Sequence, residues 1–99
     1  MMRRLISYRT APERASENAE LIKGVFEELS VRAPAGLRYL ALNLDDGRFV
    51  HFVEMEDGSV PLPQLESFRA FQSGLKDRQI EPTSTSGVTI IGDYRMLAK

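Results

Sequence analysis

The chain has 99 residues, enough for one domain over 1–99 and too few for a second lobe or a separate lid. Hydrophobic residues make up 42% and charged residues 27%, with a formal net charge of −1 and basic side chains scattered along the chain, which excludes an electrostatic footprint for nucleic acid. The lack of cysteine excludes disulfides, thiolate metal sites and cysteine nucleophiles, and no apolar run reaches the ~20 residues that span a bilayer.

The opening residues, MMRRLISYRT, lack the apolar run of a signal peptide, so a cytoplasmic location is expected. RRLISYRT (3–10) reads as a strand with apolar residues on both faces. Thr10-Ala11-Pro12-Glu13 then has the form of a helix start, with Thr10 as cap and proline in the first turn. Ala15, Ala19, Ile22, Phe26 and Leu29 follow at helical spacing, flanked by Asn18 and Val25, and Ala33-Pro34-Ala35-Gly36 ends the run. The helix is expected over 13–31.

Residues 36–58, GLRYLALNLDDGRFVHFVEMEDG, predict a hairpin with strands over 37–44 and 48–56. Asp45-Asp46-Gly47 suits a three-residue loop with Gly47 left-handed. In that register Leu40, Leu42, Leu44, Val50, Phe52 and Glu54 share one face. Tyr39, Ala41, Asn43, Phe49, His51, Val53 and Met55 share the other. A two-residue loop would regroup them, because a one-residue slip turns a whole strand over. The aliphatic set is expected against the helices.

SVPLPQ (59–64) reads as a rigid connector. Leu65, Phe68, Phe71 and Leu75 mark a second amphipathic helix over 64–78. TSTSG (83–87) reads as a loop and VTIIGDYRML (88–97) as the last strand. The order βαββαβ predicts an α+β, ferredoxin-like fold: a four-stranded antiparallel sheet with two helices on one face and the first and third strands central. The second face is too apolar for water, so a second copy is expected there, sheet against sheet, in a homodimer.

This order, the doubly apolar strands, and the run from Phe49 through Glu54 into the Phe68–Phe71 helix resemble the antibiotic biosynthesis monooxygenase type of dimeric α/β-barrel domain. The resemblance covers nearly the whole chain and rests on layout, without a strict catalytic signature. It implies homodimers whose two sheets close a barrel, and, for some members, oxygenation of polycyclic phenols or quinols with O₂ and no metal, flavin or other cofactor. Glu54 matches a glutamate common in the third strand of that family. The haem-degrading branch uses an asparagine, a tryptophan and a helical histidine; this chain has no tryptophan, and its single histidine is on a strand.

The candidate catalytic residue is His51. It reads either as a base toward a phenolic substrate or as a buried, hydrogen-bonded side chain at the dimer interface or under a helix. Tyr39, Asn43, Glu54, Phe68 and Phe71 are the candidate ligand-binding residues for a small aromatic molecule. Phe68 and Phe71 read equally as core, and Glu54 as a strand-end glutamate open to water. No metal site is expected, since Glu54 and Glu56 alternate away from His51. Three functions stay open: a cofactor-independent oxygenase, a non-catalytic ligand carrier or sensor, and a structural dimer without a pocket.

Overall fold

The computed structural model describes residues 1–58 and 61–97. Strand β1 (Met2–Thr10) leads through a short 3-10 turn (Pro12–Arg14) into helix α1 (Ala15–Arg32). Strands β2 (Leu37–Asn43) and β3 (Arg48–Met55) form the hairpin, helices α2 (Glu66–Ser73) and α3 (Leu75–Arg78) follow, and strand β4 (Gln79–Gly87) closes the sheet. The strand order is β2-β3-β1-β4, all neighbours antiparallel, so β1 and β3 are central as expected. Ser59 and Val60 of the expected connector lie outside the described residues, and Leu62–Gln64 form a 3-10 turn. Among the described residues no helix is long and apolar enough to cross a membrane.

The hairpin has the three-residue loop. Asn43 pairs with Phe49 and Leu42 with Val50, and the Leu44 N–H donates to the Arg48 carbonyl at 2.7 Å, leaving Asp45, Asp46 and Gly47 in the turn. Gly47 has φ +87°, the left-handed position a side chain would strain.

The two faces of that hairpin are assigned the other way from the expectation. Phe49, His51, Val53 and Met55 are buried and alternate with half-buried residues along β3. They join Tyr8, Ile22, Val25, Leu62, Leu65 and Phe71 in the core under the helices. The aliphatic set is the open face, with Leu42 48% exposed and Leu5 and Leu44 exposed beside it. Aliphatic content did not decide which face was covered. The helix stripes carry polar side chains, Asn18 on α1 and Arg78 on α3, and both are buried. Arg78 donates to Asn18, Asn18 to the Tyr8 hydroxyl, and Tyr8 meets His51 of the mixed face, so the buried polar groups are paired and their burial is less costly.

Three other expectations change. Thr10 does not cap α1: it ends β1, buried, and its Oγ1 has no hydrogen-bond partner among the described residues. The second helix breaks at Gly74 instead of running through 64–78. Glycine weakens helix continuity by about 1 kcal/mol, and the Arg78 guanidinium occupies the space where a side chain at 74 would stand. Strand β4 is Gln79–Gly87 and includes the TSTSG segment; residues 88–97 form no strand. Thr85 pairs with Ile6 and Ser84 with Ser7, and a register shift follows around Pro82. Pro82 has no N–H for the ladder, and an edge strand with an irregularity is where proline is tolerated. The hydroxyl-rich sequence is thus an edge strand with exposed residues, not a loop.

Candidate functional site

Strand β1 places Tyr8 beside β3, and β2 places Tyr39 on its other side, so two phenols flank His51. The Tyr8 hydroxyl lies 2.9 Å from His51 Nε2 and the Tyr39 hydroxyl 2.6 Å from Nδ1. Asn18 Nδ2 donates to the Tyr8 oxygen at 2.9 Å, and Arg78 Nε donates to Asn18 Oδ1 at 2.9 Å. Arg78 Nη2 also donates to the Phe71 carbonyl at 2.7 Å. Five side chains from β1, α1, β2, β3 and α3 therefore make one continuous chain.

The chain has a direction. A guanidinium only donates, so Asn18 must turn its oxygen to Arg78 and its NH₂ to Tyr8. The Tyr8 oxygen accepts from Asn18, and its hydrogen, on a residue 2% exposed, has His51 Nε2 as its only acceptor among the described residues, so the buried hydroxyl is satisfied by donating to Nε2. A neutral imidazole then carries its proton on Nδ1 and donates to Tyr39. The Tyr39 hydrogen is left over: no protein acceptor among the described residues takes it. Arg78, Asn18, Tyr8, His51 and Tyr39 each donate toward the next.

Protonation states agree with this order. Burial lowers the His51 pKa to about 4, so the ring is neutral at pH 7. Burial raises Tyr8 to about 12, against smaller lowering effects from the Asn18 bond and the Arg78 charge. Burial, and next the neighbouring Tyr8, also push Tyr39 up. Both phenols stay protonated, Tyr8 donating to His51 and Tyr39 keeping a free O–H.

Tyr39 opens onto a cavity of about 440 Å³ between the sheet and α2–α3. Ile6, Val53, Leu62, Phe68, Phe71 and Leu75 form its apolar wall, and Tyr8, Tyr39 and His51 line it as well. Gln72, Lys76, Gln79 and Thr83 add polar groups. The His51 and Phe71 rings are 5.6 Å apart and those of Phe68 and Phe71 6.1 Å, separations usual for packed aromatic pairs. The volume is in the range of small-molecule sites.

Of the residues singled out from the sequence, His51, Tyr39, Phe68 and Phe71 come together at this cavity. Asn43 is exposed at the end of β2, away from it. Glu54 is on the opposite face of the sheet, held by Arg3 at 2.6 Å. His51, expected on the face that meets a second copy, instead faces the helices. Tyr8, Asn18 and Arg78 were not singled out. Their signal was present for two of them: Asn18 interrupts the apolar stripe between Ala15 and Ile22, and Arg78 continues the Phe71, Leu75 stripe at helical spacing. Among the described residues, no group of three His, Asp or Glu side chains is placed to hold a metal ion.

Sheet, helices and cavity together define a ferredoxin-like α+β chain with an apolar-walled cavity between its sheet and its second and third helices. Solved structures share this fold. One named for the antibiotic biosynthesis monooxygenases, from Nitrosomonas europaea, superposes with a TM-score of 0.71 at 15% identity, covering 90% of this chain and 88% of the other. A crystal structure of antibiotic biosynthesis monooxygenase gives 0.69 at 18% identity, over 93% and 100% of the two chains. A conserved protein from Methanosarcina mazei gives 0.71 at 17%, over 88% and 89%. No family model matches the sequence, and no curated protein does. The chain thus has the antibiotic biosynthesis monooxygenase-like fold that its residue pattern resembles.

Proposed function

We propose that the protein is a homodimeric, cofactor-independent oxygenase for a small aromatic phenol or quinol bound in the helix-side cavity. The observation that carries this reading is the Tyr39 hydroxyl, whose hydrogen has no acceptor among the described residues, on a side chain that lines an apolar, aromatic-walled pocket. An O–H fixed by its own accepted bond is a preorganised donor, and such donors favour the oxygen on which negative charge develops. A bound ring whose oxygen rests on Tyr39 loses its proton to water more readily. The resulting anion is electron-rich enough to pass one electron to O₂. Recombination at the ring carbon that is a methylene in the keto tautomer forms a C–O bond, the peroxide anion takes a proton back from water, and loss of water from the hydroperoxide leaves a carbonyl. In sum, a CH₂ group and O₂ become a C=O group and H₂O. Tyr39 contacts the substrate in this scheme, and His51 positions Tyr39.

The homodimer reading is supported by the open sheet face. Leu5, Leu40, Leu42, Val50 and Phe52 form an apolar band there. At one end lies the Arg3–Glu54 pair, and at the other Arg9 and Arg48 meet Asp46 and Glu81. An apolar centre with a charged rim is the anatomy of a protein interface. Residues 88–97 add exposed apolar side chains, Ile91 being 100% exposed.

Oxygen uptake with anthrone tests the reaction. The native chain should consume O₂ faster than the buffer control, and Tyr39→Phe should lose most of the excess. Saturable anthrone binding without O₂ uptake would instead make the protein a ligand carrier, and no binding would reject the cavity as a site.

A further inference from the structure

Arg78 is a cation inside the core. It is 2% exposed, and no ion pair among the described residues includes it. Its hydrogen bonds go to neutral acceptors, the Asn18 side chain and the Phe71 carbonyl, and its guanidinium carbon lies 5.6 Å from the centre of the Phe71 ring. Glu17 feels its field, but that carboxylate is held by Arg14 at 2.6 Å near the surface. On the cavity rim, Lys76 is also in no ion pair among the described residues, and Asp77 beside it is exposed. A buried charge offset only by dipoles is destabilising, so its retention calls for a charge that it serves. Both of its partners lead to the cavity. Phe71 is a wall, and Asn18 starts the donor chain that ends at Tyr39.

We propose that Arg78 is a specificity-determining residue whose charge, carried by the aligned donors of Asn18, Tyr8, His51 and Tyr39, makes the cavity select ligands that bind through an anionic oxygen, phenolates and enolates, over neutral phenols and hydrocarbons of the same shape. This rests on the reading of the cavity as an aromatic-ligand site. The aligned hydrogen bonds polarise one another, so the positive end of the chain is presented at the Tyr39 hydrogen. Tyr8 and Tyr39 remain protonated through burial and cannot supply the anion themselves. The ligand supplies it.

The test uses 4-nitrophenol, whose ionised form is read by absorbance, and naphthalene as the uncharged comparator. In the native chain the bound phenol should ionise about one pH unit lower than free, which is about tenfold in the anion-to-neutral affinity ratio. Arg78→Gln and Tyr39→Phe should each abolish the shift, and Arg78→Lys should keep part of it, with naphthalene binding used to show that each folded variant still has the cavity. If Arg78→Gln does not fold, Gly74→Ala replaces it. A Cβ there would stand 2.8 Å from Arg78 Nη1 and push the guanidinium off Asn18 without removing its charge. Naphthalene binding with an unshifted or raised nitrophenol pKa overturns the inference and leaves the cavity reading standing. A full shift retained in Tyr39→Phe and in the folded Arg78 or Gly74 variants also overturns it. Failure of both compounds to bind removes the cavity reading and this inference together.

Discussion

Tyr8 and His51 meet on a diagonal. In the β1–β3 ladder Tyr8 stands opposite Phe49 and His51 opposite Ile6, yet the Tyr8 hydroxyl reaches His51 Nε2 at 2.9 Å and the two rings stack 5.4 Å apart. Diagonal neighbours on one sheet face are within reach of long side chains. The contact gives a core histidine an acceptor role on Nε2 and fixes the tautomer. Nitrogen-15 shifts of the native protein should report Nδ1–H. In Tyr8→Phe the ring loses that donor and Asn18 Nδ2 loses its acceptor, which should cost about 2 kcal/mol in a denaturant titration. An Nε2–H tautomer in the native chain would reverse the direction of the donor chain.

Stability should fall with acid before the carboxylates titrate. The His51 pKa is about 4 folded and 6.5 unfolded, so below pH 6.5 the unfolded chain takes a proton that the folded chain refuses. The stabilisation is full above pH 6.5 and is lost progressively toward pH 4. Between pH 7.5 and 5 the loss should be about 2 kcal/mol. Denaturant midpoints at the two pH values measure it, and His51→Gln should flatten the difference.

Opposite results are expected from one charge placed on either sheet face. Val53 is 4% exposed in the helix-side core, so Val53→Asp should unfold the chain or cost more than about 3 kcal/mol. Leu42 is on the open face, and Leu42→Asp should leave the thermal melt nearly unchanged while shifting sedimentation toward monomer. A folded, dissociated Val53→Asp protein would return the His51 face to the interface.

Two alanine substitutions separate backbone strain from crowding. Gly47→Ala meets no atom within 4 Å but must hold a left-handed φ of +87°, a cost of about 1 kcal/mol. Gly74→Ala has an ordinary φ of −109° and collides with the Arg78 guanidinium instead. Hydrogen-exchange protection should drop locally at the hairpin in the first variant. In the second it should drop across Asn18, Tyr8 and His51.

The hairpin and its register were legible in the sequence because their causes are local. Asp45-Asp46-Gly47 specifies the loop, and a period of two then assigns every side chain from Leu37 to Met55 to one of two faces. The βαββαβ order was legible for the same reason, since helix and strand periods are read within a few residues. The edge strand was not: TSTSG lacks apolar residues, and only the unpaired edge of β1 makes a strand of it, while VTIIGDYRML has strand composition but finds no pairing partner among the described residues. Which hairpin face meets the helices was not legible either: aliphatic content pointed to the wrong one, because both faces are apolar and the choice depends on polar partners brought from far along the chain. Asn18 and Arg78 are 60 residues apart, and their bond exists only once α1 and α3 pack over the same strands. The donor chain, and with it the protonation of His51, follows from that packing because hydrogen-bond direction and burial are properties of the assembled core.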